Sequence, residues 1–387
     1  MKSYKLKETL FAACAVALLA SCGGDGNSSN NNDDNNTASA PKLTKKEQLG
    51  KLLFFDDNLS QPAGMSCSTC HIPANGFTDP DHDLPVSQGV HLERFGNRNT
   101  PTAAYASYVP EFHFDANESL YIGGLFLDGR ANNGLVDQAK GPFLNPLEMA
   151  MPHMTAVASK VKDASYATLF KEVYGENAFA DLNGTDGTYD KIADAIAAFE
   201  STDLFHPFDS KYDQFLKGDA NLTDQEMRGL TLFKAEDKGN CAACHPADIQ
   251  ADGTHPLFTD FTYDNLGVPK NPSIPFYDLD DFNPEGKDFT DLGLGGVLND
   301  NNENGKFRVP TLRNVAITGP YMHNGVFSSL RDVVEFYNTR DTRNWAAAEV
   351  SDNVNHDELG DLKLSEQEVD DLVAFMKTLT DGYTAEK

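Results

Sequence analysis

Two five-residue stretches decide how this chain is read: Cys67-Ser68-Thr69-Cys70-His71 and Cys241-Ala242-Ala243-Cys244-His245. Both are C-x-x-C-H, the attachment pattern of a c-type haem. Two thiols three positions apart reach the two vinyl groups on one edge of the porphyrin, and the next residue sets an imidazole under the iron as its proximal ligand. A thioredoxin-like redox pair has no need of the His, and a zinc site would gather four Cys. Here the pairs lie 174 residues apart, each with its own His. Of the six Cys, Cys14 lies in an apolar leader and Cys22 at its end, so no thiol is left over. Two covalently bound haem c groups are therefore expected, attached at Cys67, Cys70, Cys241 and Cys244 and ligated by His71 and His245.

The N-terminus reads as an address. Lys2, Lys5 and Lys7 precede an apolar run from Leu10 to Ala20, and Leu19-Ala20-Ser21-Cys22 is similar to the lipobox of bacterial lipoproteins. The run is too short to span a bilayer. A plain signal peptide cut nearby is the alternative. Residues 1–21 are expected to be a lipoprotein signal and residues 22–41, dominated by Gly, Ser, Asn and Asp, a flexible tether that cannot bury enough apolar surface to order itself. The expected location is the periplasmic face of a bacterial membrane, through a lipid anchor on Cys22. Export suits the haem motifs, since haem is attached outside the cytoplasm.

The chain has 387 residues, 40% hydrophobic and 23% charged, with 31 Lys plus Arg against 59 Asp plus Glu. The net charge of −28 becomes −30 once three lysines and one glutamate leave with residues 1–21. With no basic stripe, nucleic acid is excluded as a partner. Anionic lipid is repelled, so membrane attachment must come from the anchor.

Residues 43–55 (LTKKEQLGKLLFF) carry apolar positions at helical spacing just before the first haem motif. Residues 222–234 repeat the design before the second, with Thr223 as N-cap and Glu226 closing a capping box. Ser365 and Glu368 begin a closing helix over 364–379 in the same way. Further helical stretches fall within 154–216, strand signal is sparse, and 246–306 reads as long loops. The expected fold is mainly α: an N-terminal cytochrome c-like domain over 42–215 and a C-terminal one over 216–387, related as a distant repeat, with long loops and little β.

Several ordered motifs over roughly residues 43–380 resemble the bacterial dihaem cytochrome c peroxidase/MauG superfamily. Gly96-Asn97-Arg98-Asn99-Thr100-Pro101-Thr102 is similar to its R-N-x-P-[ST] segment. His91, seven positions before Arg98, then stands where the family's peroxidases carry a distal ligand of the N-terminal haem iron, with His82 a nearer alternative. Asp128-Gly129-Arg130…Gln138…Glu148-Met149 looks like the block that lines the distal face of the peroxidatic haem. The resemblance makes Glu148 the acid/base group and Gln138 its amide neighbour. The chemistry asks for such a pair, because heterolysis of peroxide moves a proton from one oxygen to the other. Phe307-Arg308-Val309-Pro310-Thr311-Leu312-Arg313-Asn314…Pro320-Tyr321-Met322-His323-Asn324-Gly325 is similar to the family's V-P-[ST]-L-R-N…H-[DN]-G signature. By that resemblance Asn99, Thr318 and Pro320 hold one calcium ion between the haems, through oxygen donors that suit it.

Fourteen residues after His323, where the resemblance puts the distal ligand of the C-terminal haem iron, stands Tyr337. Classical peroxidases have Met there and MauG-type enzymes Tyr; Met322 is a rival ligand. Phenolate favours oxidised iron. Family members often have a Trp before Asp-Gly-Arg as an electron relay, but here that place holds Leu127. Trp345 lies elsewhere, and Tyr105, Tyr108 and Tyr121 are conceivable substitutes. The leading expectation is a dihaem peroxidase that reduces H₂O₂ to water with electrons from a small redox protein, a cytochrome c or a cupredoxin, steered to the acidic surface. Alternatives are a MauG-like high-valent dihaem oxidase that modifies side chains of a partner protein, and a plain dihaem electron carrier. A homodimer is a further expectation for its assembly.

Overall fold

In the computed structural model the described residues are 42–182 and 187–384. The expected signal and tether, 1–41, lie outside them. Among the described residues no helix is long and apolar enough to cross a membrane.

The architecture is mainly α, as expected. Helix α1 (Lys45–Phe54) is opened by a capping box between Thr44 and Glu47. α2 (Cys67–Cys70) is the first haem motif, and α3 (Leu135–Leu144), α4 (Met154–Asp163), α5 (Ala167–Tyr174) and α6 (Thr188–Glu200) follow. α7 (Lys211–Lys217) leads to α8 (Asp224–Lys234), α9 (Leu294–Leu298), α10 (Leu330–Thr339) and α11 (Glu366–Lys377). The capping boxes expected at Thr223/Glu226 and Ser365/Glu368 both form, and each closes two orphan backbone N–H groups. The described strands make two two-stranded antiparallel ribbons. β1 (His113–Asp115) pairs with β2 (Leu120–Ile122), and β3 (Tyr263–Asp264) with β4 (Phe307–Arg308). Residues 246–306 are mostly irregular, interrupted by short helical turns and α9.

The helix preceding each haem motif crosses a later helix through a glycine. A Cβ on Gly50 would lie 1.9 Å from the Ala195 carbonyl oxygen and 2.8 Å from the Phe199 Cβ. One on Gly229 would lie 2.0 Å from the Asp371 carbonyl oxygen and 2.8 Å from the Phe375 Cβ. Gly50-x-x-x-Phe54 on α1 thus meets Ala195-x-x-x-Phe199 on α6 as Gly229-x-x-x-Phe233 on α8 meets Asp371-x-x-x-Phe375 on α11. The same close crossing is built twice, and only glycine lets the backbones approach that far. Each crossing is sealed by edge-to-face phenyl rings, Phe54 with Phe199 and Phe233 with Phe375.

These crossings nucleate two apolar cores. One gathers Leu49, Phe54, Phe143, Ile196, Phe199 and Phe205, with Leu257 reaching in from the second half; the other gathers Tyr212, Phe233, Phe258, Val369, Leu372 and Phe375. A smaller cluster under the 273–289 loops packs Ile274, Phe276 and Tyr277 on Val86.

Candidate haem-binding and active site

A large, mostly apolar cavity runs through the described residues and is lined by both C-x-x-C-H motifs. The two histidines are held by the same device. The Phe77 carbonyl accepts a hydrogen bond from His71 Nδ1 (2.9 Å), and the Phe258 carbonyl accepts one from His245 Nδ1 (2.7 Å). A carbonyl only accepts, so each Nδ1 carries the proton and each Nε2 keeps its lone pair for a metal. Burial lowers both histidine pKa values, that of His245 to about 4, so both rings are neutral, the form that ligates iron. The four cysteines form no disulfide, and burial pushes the thiols of Cys70, Cys241 and Cys244 up to about 12. They are neutral thiols rather than the low-pKa thiolates of a redox pair.

Glu148 and Gln138 both reach the cavity. Asn145 Nδ2 donates to Glu148 Oε1 at 2.7 Å and fixes the carboxylate. Burial raises the Glu148 pKa, partly offset by the Asn145 hydrogen bond and by Arg130. The Glu148 charge acts on Cys67 and Cys70, which puts it at the N-terminal motif, where it is expected. Tyr337, on α10, lines the cavity beside the other motif. Burial raises its pKa, and it lies within electrostatic reach of Cys244 and Cys241. Met322, the rival ligand, lines the cavity too, on backbone with φ of 72°. Asn99, Thr318 and Pro320 come together at the cavity wall, with the Asn99 side-chain amide against the Pro320 carbonyl. That amide presents its oxygen when turned over.

His91 is the expected residue that the structure does not bring to the site, since it is not on the cavity wall. Its loop is a tight hairpin. The Val90 N–H donates to the Glu148 carbonyl, the Arg94 N–H donates to the His91 carbonyl, and Gln88 bridges to Phe95, which leaves His91 at the turn. His82 is exposed and bonded to Asn75. Leu127 lines the cavity, whereas Trp345 packs edge-on against Phe327 and Phe336 in a separate cluster. Of the three candidate substitutes only Tyr105 is on the wall, its hydroxyl donating to Asp381 at 2.9 Å.

Three features were not singled out from the sequence. Arg98 ties Asp128 (2.6 Å) to Asp291 (2.6 Å), joining the first motif loop to the Asp-Gly-Arg block and to the 246–306 loops. Arg308 is buried on the wall, and its Nε has no hydrogen-bond partner. Glu200 is buried there with Oε2 unpartnered. A buried guanidinium with an orphaned N–H calls for an anion, and a c-type haem carries two propionates. With neutral histidines, paired thiols and an orphaned cation, the residues present fit two haem c groups.

Comparison with known proteins agrees. The family described as Di-haem cytochrome c peroxidase matches residues 44–221, and the Cytochrome c family matches residues 226–380. The methylamine utilization protein MauG of Paracoccus denitrificans (strain Pd 1222) is 42% identical, over 86% of this chain and 88% of that protein. The cytochrome c551 peroxidase of Nitrosomonas europaea is 32% identical, over 88% and 81%. Among solved structures, the diheme peroxidase BthA from Burkholderia thailandensis E264 superposes with a TM-score of 0.76 at 35% identity, covering 89% of this chain and 88% of that one. With two haem-attachment motifs on one cavity and relatives of this identity and coverage, the chain belongs to the dihaem cytochrome c peroxidase/MauG family of oxidoreductases.

Proposed function

We propose that the protein is a peroxidase that reduces H₂O₂ to water at the N-terminal haem, with electrons supplied through the C-terminal haem by a small redox protein. We read the two cores as two haem domains, 42–215 and 216–387. The observation that carries the reading is Glu148: a carboxylate fixed by Asn145, on the cavity wall at the first motif, with its pKa raised by burial. A plain electron carrier has no use for such a group. When bound, the haems supply the iron at which peroxide is reduced and the electrons that reduce it. Glu148 takes the proton from the near oxygen of peroxide and returns it to the far oxygen, which leaves as water. A pKa raised toward the working pH suits a group that must both accept and donate. Gln138 offers its amide to orient the oxygen atoms. The donor is a cytochrome c or cupredoxin whose basic face is drawn to the acidic chain. Asn99, Thr318 and Pro320 hold one calcium ion with oxygen donors, and the body hangs from a lipid anchor on the periplasmic side.

A second reading is a MauG-like oxidase that modifies a partner protein. It is favoured by Tyr337 at the C-terminal motif, since phenolate stabilises oxidised iron. Replacement of Glu148 separates either enzyme from a carrier. In Glu148→Gln both haems stay attached, and peroxide consumption falls by about 10²–10⁴-fold. Full turnover in that variant would remove Glu148 from the mechanism.

A further inference from the structure

Glu200, the last residue of α6, is 5% exposed, lines the haem cavity, and has a carboxylate oxygen with no hydrogen-bond partner. A buried orphan carboxylate oxygen is costly, and natural proteins keep few of them. The duplicated helix crossing shows what else the fold accepts there. Ala195 and Phe199 correspond to Asp371 and Phe375, so Glu200 corresponds to Met376, which lines the cavity in the second core. The carboxyl is therefore not required by the helix pair.

Its surroundings isolate it. On the helices packed against α6, Lys46 pairs with Asp194, Lys140 with Asp137 and Asp190, and Lys160 donates to the Asn58 and Ser60 carbonyls. Lys51, Lys162 and Asp163 are exposed. The titratable groups near it on the cavity side are Cys67, on which its charge acts more strongly than any other, and beyond it Glu148, which Asn145 bonds. Burial alone raises the Glu200 pKa to about 8. Cys67 becomes an uncharged thioether once haem is attached, which leaves the haem, its iron and its propionates, as the variable charge on the cavity side of Glu200.

We propose that Glu200 is the redox-linked proton site of the N-terminal haem. When a one-electron reductant, a redox protein or a dye, converts Fe(III) to Fe(II), the site loses one positive charge, and the Glu200 carboxylate takes one proton from solvent. Oxidation releases it. The carboxylate favours ferric iron because opposite charges attract in a poorly solvated cavity. The inference rests on haem at the first motif and is independent of the peroxidase reading.

The test is a spectroelectrochemical titration of the full-length holoprotein from pH 6 to 10, without peroxide, for the natural chain, Glu200→Gln and Glu200→Met. Haem per chain is counted first. In the natural protein the Fe(III)/Fe(II) ratio of the N-terminal haem at fixed potential should rise with pH through a window around 8, by up to tenfold per pH unit. In both variants that rise should vanish, with the haem easier to reduce at pH 9 than in the natural chain. Variant curves that track the natural one, or a natural curve flat across the window, would overturn the proposal. A haem count showing the first motif empty would overturn it together with the haem assignment.

Discussion

Asp213, on α7, lies at the joint between the two cores, fully buried. It accepts hydrogen bonds from Arg313 Nη1 (2.7 Å) and Nη2 (2.9 Å), from Ser210 Oγ and from His255 Nδ1 (2.6 Å). Arg313 Nε donates to the Pro256 carbonyl two residues before Phe258, whose own carbonyl holds His245. The ion pair thus braces the loop that aims the second proximal histidine. Burial alone would raise the Asp213 pKa, but Arg313, Ser210 and His255 overcome it and hold the group at about 2, against 3.8 when unperturbed. At 1.36 kcal/mol per pKa unit this is worth about 2 kcal/mol. A depressed carboxylate pKa stabilises the fold above the unfolded value, and that share is lost as pH falls from about 4 through 2. Asp213→Asn strands a buried guanidinium, which costs about 3–5 kcal/mol. The lower end is expected, because Asp381 stands 3.8 Å from Arg313 Nη1. Urea unfolding of the holoprotein, followed by circular dichroism and by the haem absorbance, measures both. The variant should be about 3 kcal/mol less stable at pH 7, and its gap to the natural protein should narrow by about 2 kcal/mol between pH 5 and pH 2. A variant within 1 kcal/mol at pH 7, or a gap that does not change with pH, would refute the reasoning.

Gly229→Ala must push α8 off the Asp371 carbonyl and is expected to cost about 1–3 kcal/mol by strain, read from the urea midpoint, with Gly50→Ala behaving alike. Tyr337→Met should raise the reduction potential of the C-terminal haem by exchanging a hard anionic donor for a thioether; an unchanged potential would mean that Tyr337 is not a ligand. Chelation of calcium should lower peroxide turnover in the natural protein, with recovery on adding Ca²⁺ back, while Asn99→Ala should lose the response to both.

The parts of this molecule legible in its sequence are those set by local chemistry. A C-x-x-C-H motif needs only five consecutive residues, and a capping box four, so both haem motifs and the helix starts at Thr223 and Ser365 were readable. Glu148 and Gln138 were picked out through ordered motifs, and the structure puts both on one cavity. What was not legible depends on distant segments meeting. Glu200 looks like any acid at a helix end until α1 and α6 bury it, and the significance of Arg308 is an absent partner, which no spacing announces. Arg98 meets Asp291 across 193 residues. The placement of His91 also depends on a distant segment. Its separation from Arg98 suggests a ligand, but the backbone hydrogen bond from Val90 to Glu148 fixes the hairpin so that His91 sits off the wall.

The most direct measurement is the EPR and optical spectrum of the purified diferric protein before and after one equivalent of H₂O₂, followed by a reduced c-type donor. The account predicts a high-spin ferric signal from the N-terminal haem that disappears on adding peroxide, followed by rapid donor oxidation, two electrons per peroxide. A long-lived oxidised species that ignores the donor would contradict the peroxidase reading and favour the protein-modifying one; two low-spin haems indifferent to peroxide would contradict both.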